Sequence, residues 1–254
     1  MGQDRYAKIE ELISSLEPRD EFVIIEVGVW NGGRAMRMAE AAFKIAKRVK
    51  YFGYDLFEQA TPDINLRELN AKPNQTVEHV ADRLTWFKAK KPGFEFALIP
   101  GNTNETLKGA ALIADFVYID GGHSVETIAN DYAAFKECPL VVFDDYYLGL
   151  DEETLDRVGA NRTVDVLANV EIIDTGDVLY TGDVQGTVAL AVVRSKPIEE
   201  GLAPGVAELE ERREKIEADA ESMRASPRPK RTPRKKSMAA AERRKNMEPP
   251  FRDE

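Results

Sequence analysis

The sequence is most informative at Asp115-Phe-Val-Tyr-Ile-Asp120-Gly-Gly-His123 and, about twenty residues later, at Val141-Val-Phe-Asp144-Asp145. Each run has the short apolar stretch of a buried β-strand and then ends abruptly in acid. In an open α/β sheet the carboxyl ends of the strands face the ligand crevice. Two adjacent strands of this kind would therefore bring Asp120, Asp144 and Asp145 into one small volume.

Three carboxylates at such close range repel one another unless a cation lies between them. A hard divalent ion with oxygen ligands, most simply Mg²⁺, is the natural neutraliser, so Asp120, Asp144 and Asp145 are predicted metal ligands. His123 follows Asp120 by one short turn and is a candidate catalytic base, with Asp120 as the other candidate. The alternative interpretation treats these acids as helix caps or as solvated loop residues.

A second motif stands near the front of the chain, where a strand leads into a glycine-rich turn and a helix: Phe22-Val-Ile-Ile-Glu26-Val-Gly28-Val-Trp-Asn31-Gly32-Gly33. Gly28 allows a tight turn, and the later glycines let a ligand approach the backbone at the helix N-terminus. The next short strand ends in Asp55. Nucleotide-binding α/β folds place at this point the carboxylate that binds the ribose hydroxyls.

The spacing of this turn separates two classes of cofactor. Nicotinamide folds usually show Gly-x-Gly-x-x-Gly, whereas this chain has Glu-x-Gly-x-x-x-Gly. An acid before the first glycine suits a cationic ligand without phosphate. These segments resemble class I S-adenosylmethionine-dependent methyltransferases, specifically the metal-dependent small-molecule O-methyltransferases of the macrocin O-methyltransferase type. The resemblance covers residues from about 20 to 195.

The resemblance implies a role for each motif. The cofactor-binding residues that it implies are Glu26, Gly28 and Gly32 for the methionine part, Asp55 for the ribose, and Asn102 and Thr103 beside the adenine. It also implies Asp120, Asp144 and Asp145 as metal ligands, and His123 as the residue that deprotonates an acceptor hydroxyl. Arg34 departs from the family pattern, because relatives commonly carry a small hydroxyl residue at that position.

Strand and helix patterns alternate along the first 195 residues. Strands are predicted near 22–27, 50–55, 94–99, 115–119, 140–143, 169–174 and 187–194, and helices at 33–48, 76–91, 103–110, 124–136 and 151–167. Such alternation favours an α/β fold with a Rossmann-like, doubly wound sheet. The last two strands are joined without a helix, so the sheet is predicted to be mostly parallel with an antiparallel last strand.

The segment from Phe57 to about Thr76 is too long for a plain connection in a compact domain. It starts directly after Asp55, which suggests a lid over the cofactor. Two other aromatic or titratable residues have structural interpretations: Trp86 is predicted to lie in a helix core, and His79 on a helix surface. A metal-bound hydroxyl is a good nucleophile for methyl transfer. A small hydroxylated acceptor, sugar-like or catechol-like, is therefore the predicted partner.

Composition divides the chain in two. Residues 1–195 carry a net charge of −12, and the remainder carries +2, with seven basic residues and no acid in 224–236. We predict a methyltransferase domain at 1–196 and a charged helical or disordered tail at 197–254. An acidic domain is a poor nonspecific ligand for nucleic acid, whereas the basic run would attract nucleic acid or another acidic partner weakly. Assembly as a homo-oligomer stays open.

Cys138 is the single cysteine, so no intrachain disulfide forms, and this favours a cytoplasmic location. No apolar run reaches the length of a membrane span, so no membrane contact is predicted. Two alternative functions stay open from the sequence. One is a nicotinamide-linked oxidoreductase. The other is a non-catalytic cofactor-binding domain whose tail binds an acidic partner.

Overall fold

The computed structural model of the chain describes residues 5–70, 72–181 and 184–195, apart from the side chains of 179–181 and 184. The strands are β1 (Arg19–Val27), β2 (Ala46–Asp55), β3 (Phe94–Pro100), β4 (Phe116–Ile119), β5 (Leu140–Leu148), β6 (Val170–Thr181) and β7 (Val184–Arg194). The helices are α1 (Arg5–Ser14), α2 (Gly33–Ala42), α3 (Pro62–Arg67), α4 (Val77–Lys90), α5 (Thr103–Thr106), α6 (Val125–Phe135), α7 (Glu152–Leu155) and α8 (Gly159–Val164). The predicted tail lies outside the described residues.

One sheet contains all the described strands, in the order β3-β2-β1-β4-β5-β7-β6. The first five run parallel, so that Ile25 of β1 lies beside Phe52 of β2 and Val117 of β4. The direction reverses at β7, which pairs antiparallel with both β5 and β6. The predicted α/β class, Rossmann-like sheet and antiparallel last strand are therefore confirmed.

Apolar side chains cover both faces of the sheet. Along β1, Phe22 and Ile24 point toward α1, α2 and α4, while Val23 and Ile25 point toward α6 and α8. This alternation follows from the period of two in a strand, and the unbroken apolar run from Phe22 to Ile25 is typical of a parallel strand that is buried on both sides. Within the described residues, no helix is both long enough and apolar enough to span a membrane.

The helix predicted at 33–48 is shorter than expected. α2 ends at Ala42, and β2 already begins at Ala46, beside Arg19 of β1. The amides of Lys44 and Ile45 bond three residues back, which tightens and closes the last turn. From Ala46 onward, pairing with β1 overrides the helical pattern of the sequence, because Val49 becomes fully buried in the strand.

Other predicted helices also differ from the structure. The helix at 151–167 is divided into α7 and α8, because Gly159 lies against the loop after β4, where a Cβ would come within 2.5 Å of the carbonyl oxygen of Ser124. The helix at 103–110 is reduced to α5. Trp86 is not in the core, since 57% of it is exposed and the Lys90 ammonium lies 3.7 Å from its ring centroid.

Candidate functional site

The two neighbouring acids of β5 lie in a β-bulge. The pairing of β5 with β7 shifts register between Phe143 and Tyr146, so Asp144 and Asp145 fall outside the ladder. Asp145 has a φ of 52°, a left-handed conformation that non-glycine residues adopt rarely. Bulges of this kind redirect side chains and are frequent beside active sites. Here the bulge turns Asp145 toward the end of β4.

Three potential metal ligands meet at this edge of the sheet. One ligand atom each of Asp120, His123 and Asp145 lies within 4.8 Å of the other two. His123 Nε2 donates a hydrogen bond to Asp145 Oδ2 at 2.9 Å. The same side chains, with Asp144, line a cavity of about 10 Å³, which holds about one water molecule. Asp120 and His123, which follow β4, therefore lie close to Asp145 of β5.

The protonation of His123 differs from the neutral imidazole that a base at pH 7 requires. Burial alone would lower the pKa of His123, but the hydrogen bond and charge of Asp145, together with Asp120, raise this pKa to about 9. Near pH 7 the imidazole is therefore a cation. In that state it neutralises Asp145, and it must lose a proton before it can accept one.

Asp144 does not join this group of three. Its Oδ1 accepts a hydrogen bond from Arg5 at 2.7 Å, and its Oδ2 accepts one from the Tyr118 hydroxyl at 2.6 Å. Burial and the charges of Asp120 and Asp145 raise the pKa of Asp144 to about 6. Arg5 also lies 3.3 Å from Asp145 and 2.9 Å from Asp177. The first residue of α1 thus ties three acids together.

A second arginine neutralises the other side of the cluster. Arg34 is almost fully buried, forms an ion pair with Asp120, and has its Nε 3.5 Å from Glu26 Oε1. Its guanidinium carbon also lies 4.7 Å from the ring centroid of Tyr118. Burial opposes this charge, yet Asp120 and the neighbouring acids raise the pKa of Arg34 further above its ordinary value. Arg34, the residue that departs from the family pattern, is therefore a structural counter-ion for Asp120 and Glu26.

The glycine turn is fixed by close contact with β4. Gly28 has a φ of 89°, and a Cβ there would lie 1.9 Å from the carbonyl oxygen of Asp120. Gly32 is the N-cap residue that precedes α2, and it has a φ of 72°. The turn therefore brings the N-terminus of a helix to the edge of the sheet where Asp120 lies.

Asp55 and Glu26 stand on either side of this turn. Asp55 accepts hydrogen bonds from the backbone amides of Trp30 at 2.9 Å and Phe57 at 2.7 Å, so it holds the turn in place. Glu26 is fully buried; Tyr51 donates to its Oε2, while Oε1 has no hydrogen-bond partner among the described residues. Burial raises the pKa of Glu26 to about 7, although Arg34 and Tyr51 oppose the rise. An unsatisfied buried carboxylate oxygen beside a glycine turn fits a ligand with an ammonium group.

Asn102 and Thr103 have structural partners after β3. The Asn102 side chain caps α5 by accepting from the Asn104 amide at 3.0 Å. Thr103 is buried, its carbonyl accepts from Asn130 at 2.9 Å, and its side chain bonds to Asp131. These contacts place both residues at the carboxyl end of β3, one strand beyond Asp55.

Sequence reasoning missed the cations of the site. Arg5 is 139 residues from Asp144, and Arg34 is 86 residues from Asp120. Arg34 could have been suspected from the sequence, because it follows the glycine turn at a position where relatives commonly carry a small hydroxyl residue. Arg5 gave no signal, because its place depends on how α1 packs.

Comparison with known proteins agrees with this geometry. Residues 25–146 match a family described as a methyltransferase domain. No curated protein matches the sequence. Similar solved structures include the O-methyltransferase TomG from Streptomyces achromogenes in complex with S-adenosylmethionine, with 15% identity over 75% of this chain and 80% of TomG, at a TM-score of 0.45.

Two further solved structures are similar to the chain. Precorrin-6y C5,15-methyltransferase from Geobacter metallireducens has 15% identity over 75% of this chain and 87% of its own, at a TM-score of 0.43. Spermidine synthase from Thermotoga maritima has 14% identity over 77% of this chain, at a TM-score of 0.42, and the match spans 62% of the synthase. The family match favours a methyltransferase over the nicotinamide alternative: residues 25–146 form a methyltransferase domain.

Proposed function

We propose that the chain is an S-adenosylmethionine-dependent methyltransferase, and that it methylates a hydroxyl group of a small molecule, sugar-like or catechol-like, with the help of a divalent metal ion. The observation that carries this proposal is the cluster of Asp120, His123 and Asp145, whose ligand atoms lie within 4.8 Å of one another. It stands at the same sheet edge as the glycine turn, because Gly28 touches the backbone of Asp120. Methyl donor and acceptor oxygen would therefore meet there.

The donor set fits a hard divalent ion. Mg²⁺ is typically bound through one or two carboxylates and several waters, and Asp120 and Asp145 supply two carboxylates. Such an ion lowers the pKa of a bound hydroxyl and fixes its direction. Asp144 supports the site from outside, since it holds Arg5 and Tyr118. We therefore assign the metal to Asp120 and Asp145, and give Asp144 a supporting role.

The residues of the chain handle the proton and the geometry. Methyl transfer from a sulfonium is an in-line displacement, so the acceptor oxygen must be aligned with the methyl group and made nucleophilic. His123 holds a proton at Nε2 toward Asp145. Once that proton is lost, the imidazole can take the proton of the acceptor hydroxyl. Arg34 keeps the carboxylate of Asp120 charged and fixed in place.

The cofactor would bind at the same edge of the sheet. Glu26, whose Oε1 makes no hydrogen bond among the described residues, would bind the methionine part together with Gly28 and Gly32, and Asp55 would bind the ribose. Asn102 and Thr103, at the end of the next strand, would border the adenine.

The experiment pairs a labelled methyl donor with catechols, sugars and matched monohydroxy compounds, and reads the products by mass spectrometry. We expect transfer to vicinal diols, loss of transfer with excess chelator, and recovery with Mg²⁺ or Mn²⁺. Metal should also raise the melting temperature of the wild type, because a ligand that binds the folded state stabilises it. This rise should vanish in Asp145→Asn and persist in the surface control Glu171→Gln. Full transfer in excess chelator would remove the metal from the proposal.

A further inference from the structure

The segment between β2 and α4, described at residues 57–70 and 72–76, crosses the edge of the sheet that carries the site. It leaves the end of β2 and makes contacts with the loops after β1 and after β4. In the sheet, β1 lies between β2 and β4. The segment therefore passes over the strand ends that carry Asp55, Gly28 and Asp120.

Its firmest contact is made by Glu68, at the end of α3. Glu68 is 95% buried; its Oε2 accepts a hydrogen bond from the Ser124 amide at 3.1 Å, and its Oε1 accepts one from the Thr127 hydroxyl at 3.1 Å. A carboxylate at this position also interacts well with the positive end of α6, which is 11 residues long. Gly122 makes room for it, since a Cβ there would lie 2.5 Å from Glu68 Oε2.

The pKa of Glu68 agrees with a bound carboxylate. Burial would raise this pKa, but the hydrogen bonds from Ser124, Thr127 and Arg67 lower it below its ordinary value. The charged form is therefore the one that the contact favours.

The other end of the segment rests on the glycine turn. Trp30 Nε1 donates to the carbonyl oxygen of Pro73 at 3.1 Å, and the Lys72 ammonium lies 5.7 Å from the centroid of the Trp30 ring. Glu58 accepts from the Val77 amide at 2.8 Å and so joins the start of the segment to the helix that follows it. The segment thus connects the loop after β1 with the loop after β4, and both of these loops flank the proposed cofactor site.

We propose that residues 57–70 and 72–76 form a lid over the S-adenosylmethionine site, and that Glu68 is the positioning residue that latches the lid to the N-terminus of α6. The inference rests on the cofactor site proposed above. A ligand on the ends of β1, β2 and β4 lies beneath this segment, so it enters and leaves only when the segment moves. Such a movement must break the bonds of Glu68 across to α6, as well as the contacts of Lys72 and Pro73 with Trp30.

The experiment measures the dissociation rate of S-adenosylhomocysteine from the full chain by stopped-flow displacement. Loss of two hydrogen bonds to a buried charge raises the population of the open lid by about 10- to 100-fold. Glu68→Ala should therefore release the ligand about 10- to 100-fold faster. Glu68→Gln keeps an acceptor oxygen and should lie between this variant and the wild type. Hydrogen exchange at residues 57–76 should accelerate in the same order without ligand.

Asp63→Asn is the matched control, since this exposed acid lies on the same segment and removing its charge leaves the Glu68 contacts intact. Thr127→Val removes one partner of Glu68 from the other side. It should accelerate release less than Glu68→Ala does, and add little to it in the double variant, because the two changes break the same contact.

The outcomes separate the latch from the cofactor site. A wild type that fails to bind S-adenosylhomocysteine would overturn the site, and the lid with it. If the wild type binds and Glu68→Ala releases the ligand at the wild-type rate, the latch alone is wrong. A lower melting temperature with unchanged release would likewise reduce Glu68 to a helix cap. Should Glu68→Ala fail to fold, Glu68→Gln and Thr127→Val decide between these results.

Discussion

His123 and Asp145 form a pair in which each residue sets the charge of the other. Burial would lower the pKa of His123, but Asp145 and Asp120 raise it to about 9. Asp145→Asn removes the nearest charge, and asparagine tolerates the left-handed conformation found there. We expect the pKa of His123 to fall by at least about one unit. Proton NMR titration measures it, with the exposed His79 as the internal reference.

The same variant changes how stability depends on pH. A histidine whose pKa rises from 6.5 to about 9 on folding stabilises the protein fully below about pH 6.5. This contribution is lost as the pH rises through 9. Urea unfolding should show the wild type weakening between pH 6.5 and 9 and Asp145→Asn weakening much less. Parallel curves for the two proteins would contradict the assigned pair.

Arg34 lies between two buried acids and gives the clearest effect on stability. Arg34→Met leaves Glu26 and Asp120 without their main counter-ion, and removing one partner of a buried ion pair typically costs about 3 to 5 kcal/mol. We expect a loss of this size in the free energy of unfolding by urea at pH 7. The control is Arg48→Met, because Arg48 is exposed and its pair with Glu21 is worth under about 1 kcal/mol. Equal losses in both variants would mean that burial of the pair is unimportant.

Among the structural elements, the turn between β1 and α2 allows two contributions to the free energy of unfolding to be measured separately. One is the cost of a left-handed backbone, and the other is the cost of a steric clash. Gly28 and Gly109 both have a positive φ, at 89° and 69°. A Cβ at Gly28 would lie 1.9 Å from the carbonyl oxygen of Asp120, whereas one at Gly109 meets nothing within 4 Å. Gly109→Ala should therefore cost only the left-handed backbone, about 1 to 2 kcal/mol.

Gly28→Ala should cost at least about 2 kcal/mol more than Gly109→Ala, because β1 and β4 must also move apart. Thermal unfolding of the two variants measures the difference. A similar loss in both would show that the close approach of the turn to Asp120 is not rigid.

The elements also show what the sequence could and could not predict. The strands were predictable because β4 and the first part of β5 are short apolar runs followed by acid, and parallel pairing places the two runs side by side. Helix lengths were less predictable, since α2 gives way to β2 at Ala46 through pairing with Arg19. The bulge at Asp144 and Asp145 left no pattern, because it depends on the register with β7.

The same limit applies to the side chains that complete the site. The Glu68 latch joins residues 56 positions apart, and Arg5 reaches acids across nearly the whole domain. Local periodicity carries no information about contacts of this range. Motifs at strand ends could therefore nominate Asp120, His123 and Asp145, while their counter-ions required the packed structure.

At the scale of the whole molecule, all seven strands that the structure describes precede the predicted tail. β7 pairs with β5 and β6 up to Arg194, and the Ser195 amide donates to the Pro139 carbonyl at 3.1 Å, which fixes the end of the strand to the domain. Among the described residues, the last buried apolar side chain is that of Val193. A chain that stops after Lys196 should keep the melting transition and the methyl-transfer rate of the full protein. Calorimetry and a labelled-donor assay on both chains measure this.

The salt dependence of binding to a polyanion then tests whether the tail binds an acidic partner. Removing the tail takes away a net charge of +1 and the seven basic residues of 224–236 and leaves a domain of −11. If the basic run binds an acidic partner, the full chain should bind a polyanion such as heparin, weakly and with steep salt dependence, and the truncated chain should not. A truncated chain that does not fold would move the boundary past residue 196, because an apolar stripe such as Val206, Leu209 and Ile216 would then belong to the core.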